Sequence, residues 1–215
     1  MKADTMKTSL SVSDGKAIFE ALSQTMAENR QLLTDLDAES GDGDLGITMT
    51  KGFAAAAKTA QDFAEDDIGR LLLVSGMAIA KNAPSTLGTL IASGFMKCSK
   101  GLIGKRELTT TDCATMMAGF VEGIMDRGKS KPGEKTIVDT LLPAAEALRD
   151  APADAPLGDA WAAAVSAAET GLEKSKQMKA QHGRAAYYGD ASIGKQDPGA
   201  TVGLLIVRTI TGQLR

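Results

Sequence analysis

The sequence has few of the residues that define several common protein classes. Only 4% of its 215 residues are aromatic, two are cysteine and one is histidine. Cys98 and Cys113 are too few for a disulfide framework, and neither has a metal-binding partner nearby in the sequence, so we expect two reduced core thiols in a cytosolic protein. Few aromatic residues and abundant alanine favour closely packed helices over a β-sandwich.

Strong net charge and long apolar runs are missing as well. The formal net charge is only −3, which does not indicate a nucleic-acid-binding surface. The longest apolar runs, such as LLLVSGMAIA, are shorter than the roughly 20 residues that a membrane-spanning helix needs. The N-terminal MKADTMKTSL lacks the apolar stretch of a secretion signal. We therefore expect a cytoplasmic protein that binds neither nucleic acid nor membrane.

Apolar residues recur at helical spacing in seven segments of the chain. The first segment has Ser13 as its predicted N-cap, and the fifth has Thr111 or Asp112. A final run, TVGLLIVRTI, is too short for periodicity to separate a buried strand from a buried helix, and its helical surroundings favour a helix. The sequence thus predicts an all-α protein, with a single domain over residues 1–215.

The stretch LDAESGDGDLG holds four carboxylates and three glycines. Like charges this close repel unless solvent or a cation offsets them. Read as an EF-hand loop, the stretch lacks the glycine and glutamate that such a loop requires at its sixth and twelfth positions. Asp37, Asp42 and Asp44 can converge on a hard cation such as Mg²⁺, because Gly41 and Gly43 permit a sharp turn. Spacing alone favours the alternative of a solvated acidic turn that caps the next helix.

Four connections between helices are rich in glycine, aspartate and proline: ESGDGDLG, KNAPSTLG, SKPGEKT and GRAAYYGDASIGKQDPGA. Loops carry function more often than helices do, so these connections predict a site at one end of a helical bundle. The segment GDASIGKQ matches a phosphate-binding P-loop up to its last position, where Gln196 replaces Ser or Thr. A P-loop also opens a helix after a strand, whereas Asp197, Pro198 and Gly199 interrupt the chain here.

Three motifs, LDAESGDGDLG, KPGEKTIVDTLLPA and GRAAYYGDASIGKQDPGA, resemble in this order the L subunit, or L domain, of dihydroxyacetone kinases. The resemblance spans most of the chain, and the last two motifs are long and specific. It implies a barrel of eight antiparallel helices with ADP or ATP bound at one end. It also implies two Mg²⁺ ions held by Asp37, Asp42 and Asp44, so that metal offsets the negative charge and bridges the phosphates.

The same resemblance implies which residues form the nucleotide site. Gly46 and Thr48 begin the second helix, where backbone N–H groups can face phosphate. Arg184 supplies a fixed cation and joins the three aspartates as a catalytic residue, with a surface ion pair as its alternative role. The further residues implied to contact the nucleotide are Ser85, Gly88, Gly128, Thr136, Ile137, Asp197, Pro198 and Gly199.

Two features depart from the family pattern. Leu45 stands where the family usually has histidine, so a polar contact near the nucleotide is lost. The family's glycine-rich ASGPL-type stretch is altered to NAPSTLG, which affects the predicted phosphate contacts of Ser85. The single histidine, His182, has no acid–base partner evident in the sequence, and a catalytic role is not predicted for it.

The resemblance implies a phosphotransferase component that serves a small ketose bound covalently by a histidine of a separate K subunit. We expect this chain to be inactive without that subunit. The phosphoryl donor is either exchangeable ATP or a phosphohistidine on a phosphotransferase-system partner that recharges bound ADP. The departures from the family pattern motivate an alternative, a non-catalytic ADP–Mg sensor or regulatory module. A helical interaction domain without a ligand is a third possibility.

Overall fold

A computed structural model describes residues 7–214, which are almost entirely helical. Two short strands, β1 (Leu10–Ser11) and β2 (Glu107–Leu108), pair antiparallel. A 3-10 segment spans Arg184–Ser192. The α-helices of the described residues are α1 (Val12–Glu28), α2 (Arg30–Ala38), α3 (Leu45–Asp62), α4 (Ile68–Asn82), α5 (Thr86–Ser99), α6 (Thr110–Gly128), α7 (Val138–Asp150), α8 (Leu157–Lys176) and α9 (Pro198–Gly212).

The helices of residues 7–214 form a closed ring of eight rods, in which α1 and α2 together make one rod. Only Asn29 separates α1 from α2, and helical hydrogen bonds continue through it, because its N–H donates to the Thr25 carbonyl and its own carbonyl accepts from Leu33. Each rod packs against the next one along the chain, and α9 packs back against α1. Consecutive rods run antiparallel, joined by connections that are short except for the one between α8 and α9. The predicted all-α, eight-helix bundle is therefore confirmed.

Two helices begin earlier than the sequence analysis predicted. The N-cap of α1 is Ser11, so the predicted Ser13 lies inside the helix, and the N-cap of α6 is Thr109 rather than Thr111 or Asp112. Both are capping boxes, in which the hydroxyl of the cap and the carboxylate three residues later each accept a backbone N–H. The predictions were wrong because apolar periodicity locates the body of a helix and not its cap. The final apolar run lies in α9, which confirms the predicted helix.

Small residues let the helices approach closely, as the composition predicted. At the crossing of α5 and α6, a Cβ on Gly123 would lie 2.6 Å from the Ser93 carbonyl oxygen. Cys98 and Cys113 are buried free thiols, and burial raises the pKa of both to about 12. Within residues 7–214, no helix combines the length and apolarity that crossing a bilayer requires.

Candidate functional site

One end of the ring opens into a cleft of about 930 Å³. Alternate connections of an antiparallel ring lie at the same end, so the connections α2–α3, α4–α5, α6–α7 and α8–α9 meet there. These are the four connections that the sequence analysis singled out. The predicted site residues that line the cleft are Asp37, Asp42, Asp44, Ser85, Gly128, Thr136, Ile137, Arg184, Asp197, Pro198 and Gly199.

The acidic turn between α2 and α3 brings three carboxylates together. One oxygen from each of Asp37, Asp42 and Asp44 lies within 4.8 Å of the others. The chain reverses at Gly43, whose φ of +72° favours glycine. A set of carboxylate oxygens alone, without nitrogen or sulfur, suits Mg²⁺ better than zinc. The donor set therefore fits the predicted cation.

The capping alternative explains only one of the three carboxylates. Asp44 occupies the N-cap position of α3, yet its side chain accepts no hydrogen bond from the helix. Instead, Asp37 Oδ2 accepts the Leu45 N–H at 3.2 Å. Asp42 contacts a side chain of the α8–α9 connection, not the first turn of α3. Capping of α3 therefore accounts for Asp37 but not for the crowding of Asp42 and Asp44 beside it.

The charges of the turn are only partly balanced. Burial raises the pKa of Asp44, and the negative charges of Asp42 and Asp37 raise it further. Arg184 Nη2 donates to Asp42 Oδ2 at 2.7 Å. Both of these side chains are about half exposed, so their pairing adds little stability. Since one guanidinium faces three carboxylates, a divalent cation here would relieve repulsion that the protein itself leaves in place.

The opposite wall is organised by caps and by a buried carboxylate that the sequence analysis missed. Ser85 caps α5 by accepting the Gly88 N–H at 3.1 Å. Buried Asp139 accepts the N–H of Gly133 at 2.6 Å and that of Thr136 at 2.8 Å. These bonds shape the α6–α7 connection and place Thr136 at the cleft. Because its partners are backbone groups, the residue types around Asp139 do not indicate this role.

The N-terminus of α9 also lines the cleft. Asp197 is its N-cap and accepts the Ala200 N–H at 2.7 Å. Burial raises the pKa of Asp197 to about 6, although that hydrogen bond and the positive charge of Lys135 act in the opposite direction. Pro198 and Gly199 follow in the first turn. Proline has no N–H, and the Gly199 and Ala200 N–H groups both interact with Asp197, so this turn offers an anion the positive end of the helix dipole.

Two further polar side chains at the cleft were not predicted to act there. Lys135 is buried with a φ of +59°, and its ammonium donates to four backbone carbonyls. Burial lowers its pKa, while the charge of Asp197 opposes this. His182 Nε2 lies 2.6 Å from Glu134 Oε2, a partner 48 positions away that the sequence does not reveal. The hydrogen bond with His182 lowers the pKa of Glu134.

Three predicted nucleotide contacts do not line the cleft. Gly46 packs α3 against α2, since a Cβ there would lie 2.1 Å from the Arg30 carbonyl oxygen. Thr48 is buried and donates to the Leu45 carbonyl at 3.1 Å. The Gly88 N–H donates to Ser85 Oγ, and a Cβ on Gly88 would lie 2.2 Å from the Ala83 carbonyl oxygen. The nucleotide contacts implied for these three residues stay predictions.

The segment GDASIGKQ, residues 189–196, is not among the residues that line the cleft and does not have the setting of a P-loop. It runs from the end of the 3-10 segment into the turn before α9. The residues directly before it, 184–188, belong to the 3-10 segment and not to a strand. The strand-to-helix turn that a P-loop requires is therefore missing from residues 177–197.

Comparison with known proteins agrees with the motifs. The family model described as DAK2 domain matches residues 39–212. The ADP-binding subunit DhaL of the PEP-dependent dihydroxyacetone kinase of Escherichia coli K12 is 35% identical over 80% of this chain and 82% of its own. The corresponding subunit of PEP-dependent dihydroxyacetone kinase 2 of Listeria innocua is 30% identical over 92% of this chain and 93% of its own.

A solved structure shows the same fold. The dihydroxyacetone kinase from C. freundii, in complex with AMP-PNP and Mg²⁺, superposes with a TM-score of 0.72 at 20% identity. The match covers 99% of this chain but only 36% of the chain of that kinase. Given the family model and relatives that are at least 30% identical over most of both chains, this chain belongs to the DAK2 domain family.

Proposed function

We propose that this chain is the ADP- or ATP–Mg-binding component of a dihydroxyacetone-kinase-type enzyme. It would transfer a phosphoryl group to a small ketose held by a separate K subunit, and it would be inactive without that subunit. The observation that carries the proposal is the acidic turn. Asp37, Asp42 and Asp44 converge within 4.8 Å in a cleft that also holds Arg184 and the N-terminus of α9. The names of the relatives from E. coli and L. innocua, both ADP-binding subunits, support it.

Phosphoryl transfer needs positioning and positive charge on the phosphate oxygens more than covalent help from the protein. The three aspartates would hold Mg²⁺, two ions by family resemblance, and the bound metal would supply that charge. Arg184 already pairs with a carboxylate oxygen at 2.7 Å. Phosphate, like carboxylate, offers negatively charged oxygens that accept hydrogen bonds from a guanidinium, so Arg184 would contact the nucleotide's phosphates.

The rest of the cleft would hold the nucleoside and the remaining phosphates. The first turn of α9, from Asp197 through Gly199, lines the cleft and adds the positive end of its helix dipole. Thr136 and Ile137 lie on the wall beside it, with Gly128 at the end of α6. Leu45 also lines the cleft, where the family usually has histidine. An apolar side chain at this position leaves the positioning of the phosphates to Arg184, the metal and the helix N-terminus.

We infer two partners. The first is the K-type subunit that carries the ketose. The second is a phosphotransferase-system phosphocarrier that would recharge bound ADP, as the name of the PTS-dependent relative from Lactococcus lactis suggests. This relative is 29% identical over 87% of the present chain. Exchangeable ATP is the alternative donor. We also propose that this protein is cytoplasmic, together with both partners.

Single-turnover transfer would test the function directly. The protein, Mg²⁺ and a K-type subunit loaded with ketose are mixed with ATP labelled in the γ-phosphate. In a second arm, bound ADP is offered a phosphorylated phosphocarrier. Labelled sugar phosphate is expected from one of the two donors, and none without the K subunit. If neither donor yields product while ADP stays bound, the alternative favoured by Leu45 stands: a non-catalytic ADP–Mg sensor or regulatory module.

A further inference from the structure

The α8–α9 loop, residues 177–197, carries Arg184 to the cleft but has little apolar anchoring of its own. Between residues 177 and 196, only Ala180 and Ser192 are buried. Tyr187 is 92% exposed, so even the largest apolar side chains of the loop do not fix it. A loop of this length loses much conformational entropy when it is held in one place. Polar contacts must therefore hold it over the cleft.

One ammonium joins the two ends of this loop. Lys135 Nζ donates to the carbonyl oxygens of Lys176 at 3.2 Å and Met178 at 3.3 Å, where the loop begins. It also donates to the carbonyl oxygens of Ser192 at 2.8 Å and Lys195 at 2.6 Å, where the loop ends. An ammonium is a compact charge with rotatable donors and can serve several acceptors at once. Lys135 thus joins the beginning of the loop, at residues 176–178, to its end, at residues 192–195. These two adjacent ends are called the neck of the loop.

Neighbouring bonds support the same closure. The Gly194 N–H donates to the Lys176 carbonyl at 2.7 Å, and the Ala180 N–H donates to Ser192 Oγ at 2.9 Å. Glu134 holds the outer part of the loop through His182. Lys135 itself adopts a left-handed backbone conformation, which is uncommon for a residue with a side chain and persists only where the surroundings determine it. The α6–α7 connection is therefore the anchor of the loop.

We infer that Lys135 is a positioning residue, whose ammonium closes the neck of the α8–α9 loop and thereby sets where Arg184 stands over the cleft. It acts through the loop, because its donors are occupied by the four carbonyls. The effect on the loop is independent of the function proposed above. The effect on nucleotide binding rests on that function.

Hydrogen exchange measured by mass spectrometry tests the closure in the protein without nucleotide. In Lys135→Met, which keeps the length of the side chain and removes its donors, peptides from the α8–α9 loop are expected to exchange at least about tenfold faster. Peptides from α5 are expected to exchange as in the native protein. Lys179→Met is the matched control, since Lys179 lies in the same loop but pairs with Asp190 at the surface. If loop peptides of Lys135→Met exchange at the same rate as those of the native protein, the inference is overturned.

Calorimetry with ADP and Mg²⁺ tests whether Lys135 acts through Arg184. Lys135→Met alone is expected to weaken binding about tenfold, but less than twofold in an Arg184→Ala background, because residues that act as a unit are not additive. Additive losses would mean that Lys135 does not act through Arg184. If the native protein binds no ADP–Mg²⁺, the proposed function fails, while the exchange result still decides whether Lys135 closes the loop.

Lys135→Arg keeps the test decisive should the methionine variant not fold. The guanidinium keeps the positive charge but directs its donors in one plane, so it cannot converge on four carbonyls as an ammonium does. Faster exchange confined to the α8–α9 loop is expected, with a melting temperature close to that of the native protein. Native protection of the loop in this variant would refute the inference.

Discussion

Among single side chains, the aspartates of the acidic turn concentrate charge in a way that depends on a ligand. Asp37, Asp42 and Asp44 face one exposed guanidinium, and the pKa of Asp44 is raised by burial and by its two neighbours. In a protein without metal this arrangement costs stability. Binding of a cation would offset this cost.

Asp42→Ala is expected to abolish the rise in melting temperature that ADP and Mg²⁺ together produce, because a ligand that binds only the native state stabilises it by mass action. Without ligand, the variant should melt within a few degrees of the native protein, since the lost ion pair is exposed and a repulsion is removed. Thermal melts with ADP, with Mg²⁺, and with both provide the measurement. Asp66→Ala, an exposed acid outside the cleft, is the control. Equal stabilisation by ADP in excess chelator would show that the metal assignment is wrong.

Arg184→Lys separates a phosphate contact from a surface ion pair. A planar guanidinium can donate two parallel hydrogen bonds to phosphate, and an ammonium cannot. The substitution should weaken ADP–Mg²⁺ binding about tenfold, measured by calorimetry. Arg149→Lys is the matched control, because Arg149 is equally exposed and pairs only with the adjacent Asp150. Equal, small losses at both positions would leave Arg184 as a surface ion pair.

The buried cap of α9 predicts a pH dependence of stability. The pKa of Asp197 is about 6 in the folded protein, compared with its ordinary 3.8, so between these values the folded state binds more protons than the unfolded state. Stability attributable to this group therefore falls as pH rises from about 4 to 6, by at most ~3 kcal/mol. Asp197→Asn keeps a cap acceptor without the charge. Urea unfolding at pH 4.5 and 7.5 should show that the free energy of unfolding of the variant, relative to that of the native protein, is higher at pH 7.5. The same difference at both pH values would contradict the prediction.

At the scale of elements, close helix crossings depend on glycines that face backbone atoms. Gly123 in α6 lies against α5, and an added Cβ would meet the Ser93 carbonyl, the Lys97 Cβ and the Gly94 Cα within 3 Å. The α5 and α6 backbones cannot move to accommodate a Cβ on Gly123 without separating the two helices. The same crossing contains Phe95 and Phe120, packed edge to face at 4.8 Å, so its separation would also disturb the core.

Gly123→Ala should therefore destabilise the protein by about 1–3 kcal/mol, although alanine favours helix more than glycine does. Gly101→Ala, where an added Cβ meets no atom within 4 Å, should leave stability unchanged or slightly higher. The midpoints of urea unfolding for the two variants make the comparison. A loss of similar size at Gly101 would show that close packing is not the cause.

The structure also shows which parts of the molecule a single sequence can predict. Apolar periodicity predicted the bodies of the helices, and turn-forming residues predicted the connections that meet at the cleft. The caps at Ser11 and Thr109 were missed because they precede the apolar pattern. The contacts of Lys135 and Asp139 were missed for a different reason: their partners are backbone groups, which any residue type can supply. Lys135 donates to carbonyls 41 to 60 positions away along the chain, whereas Asp139 accepts from N–H groups three and six positions before it.

For the whole molecule, closure of the ring has a kinetic consequence. Thr209 in α9 and Thr25 in α1 are hydrogen bonded at 2.9 Å although 184 positions separate them, and such long-range contacts are slow to form during folding. The acidic turn and the first turn of α9 belong to opposite halves of the chain, so they face one cleft only after the ring has closed. In refolding experiments, binding of a fluorescent ADP analogue should accordingly appear with the slowest folding phase, after most helical signal has returned. Binding that appears together with the early helical signal would show that the cleft assembles before the ring closes.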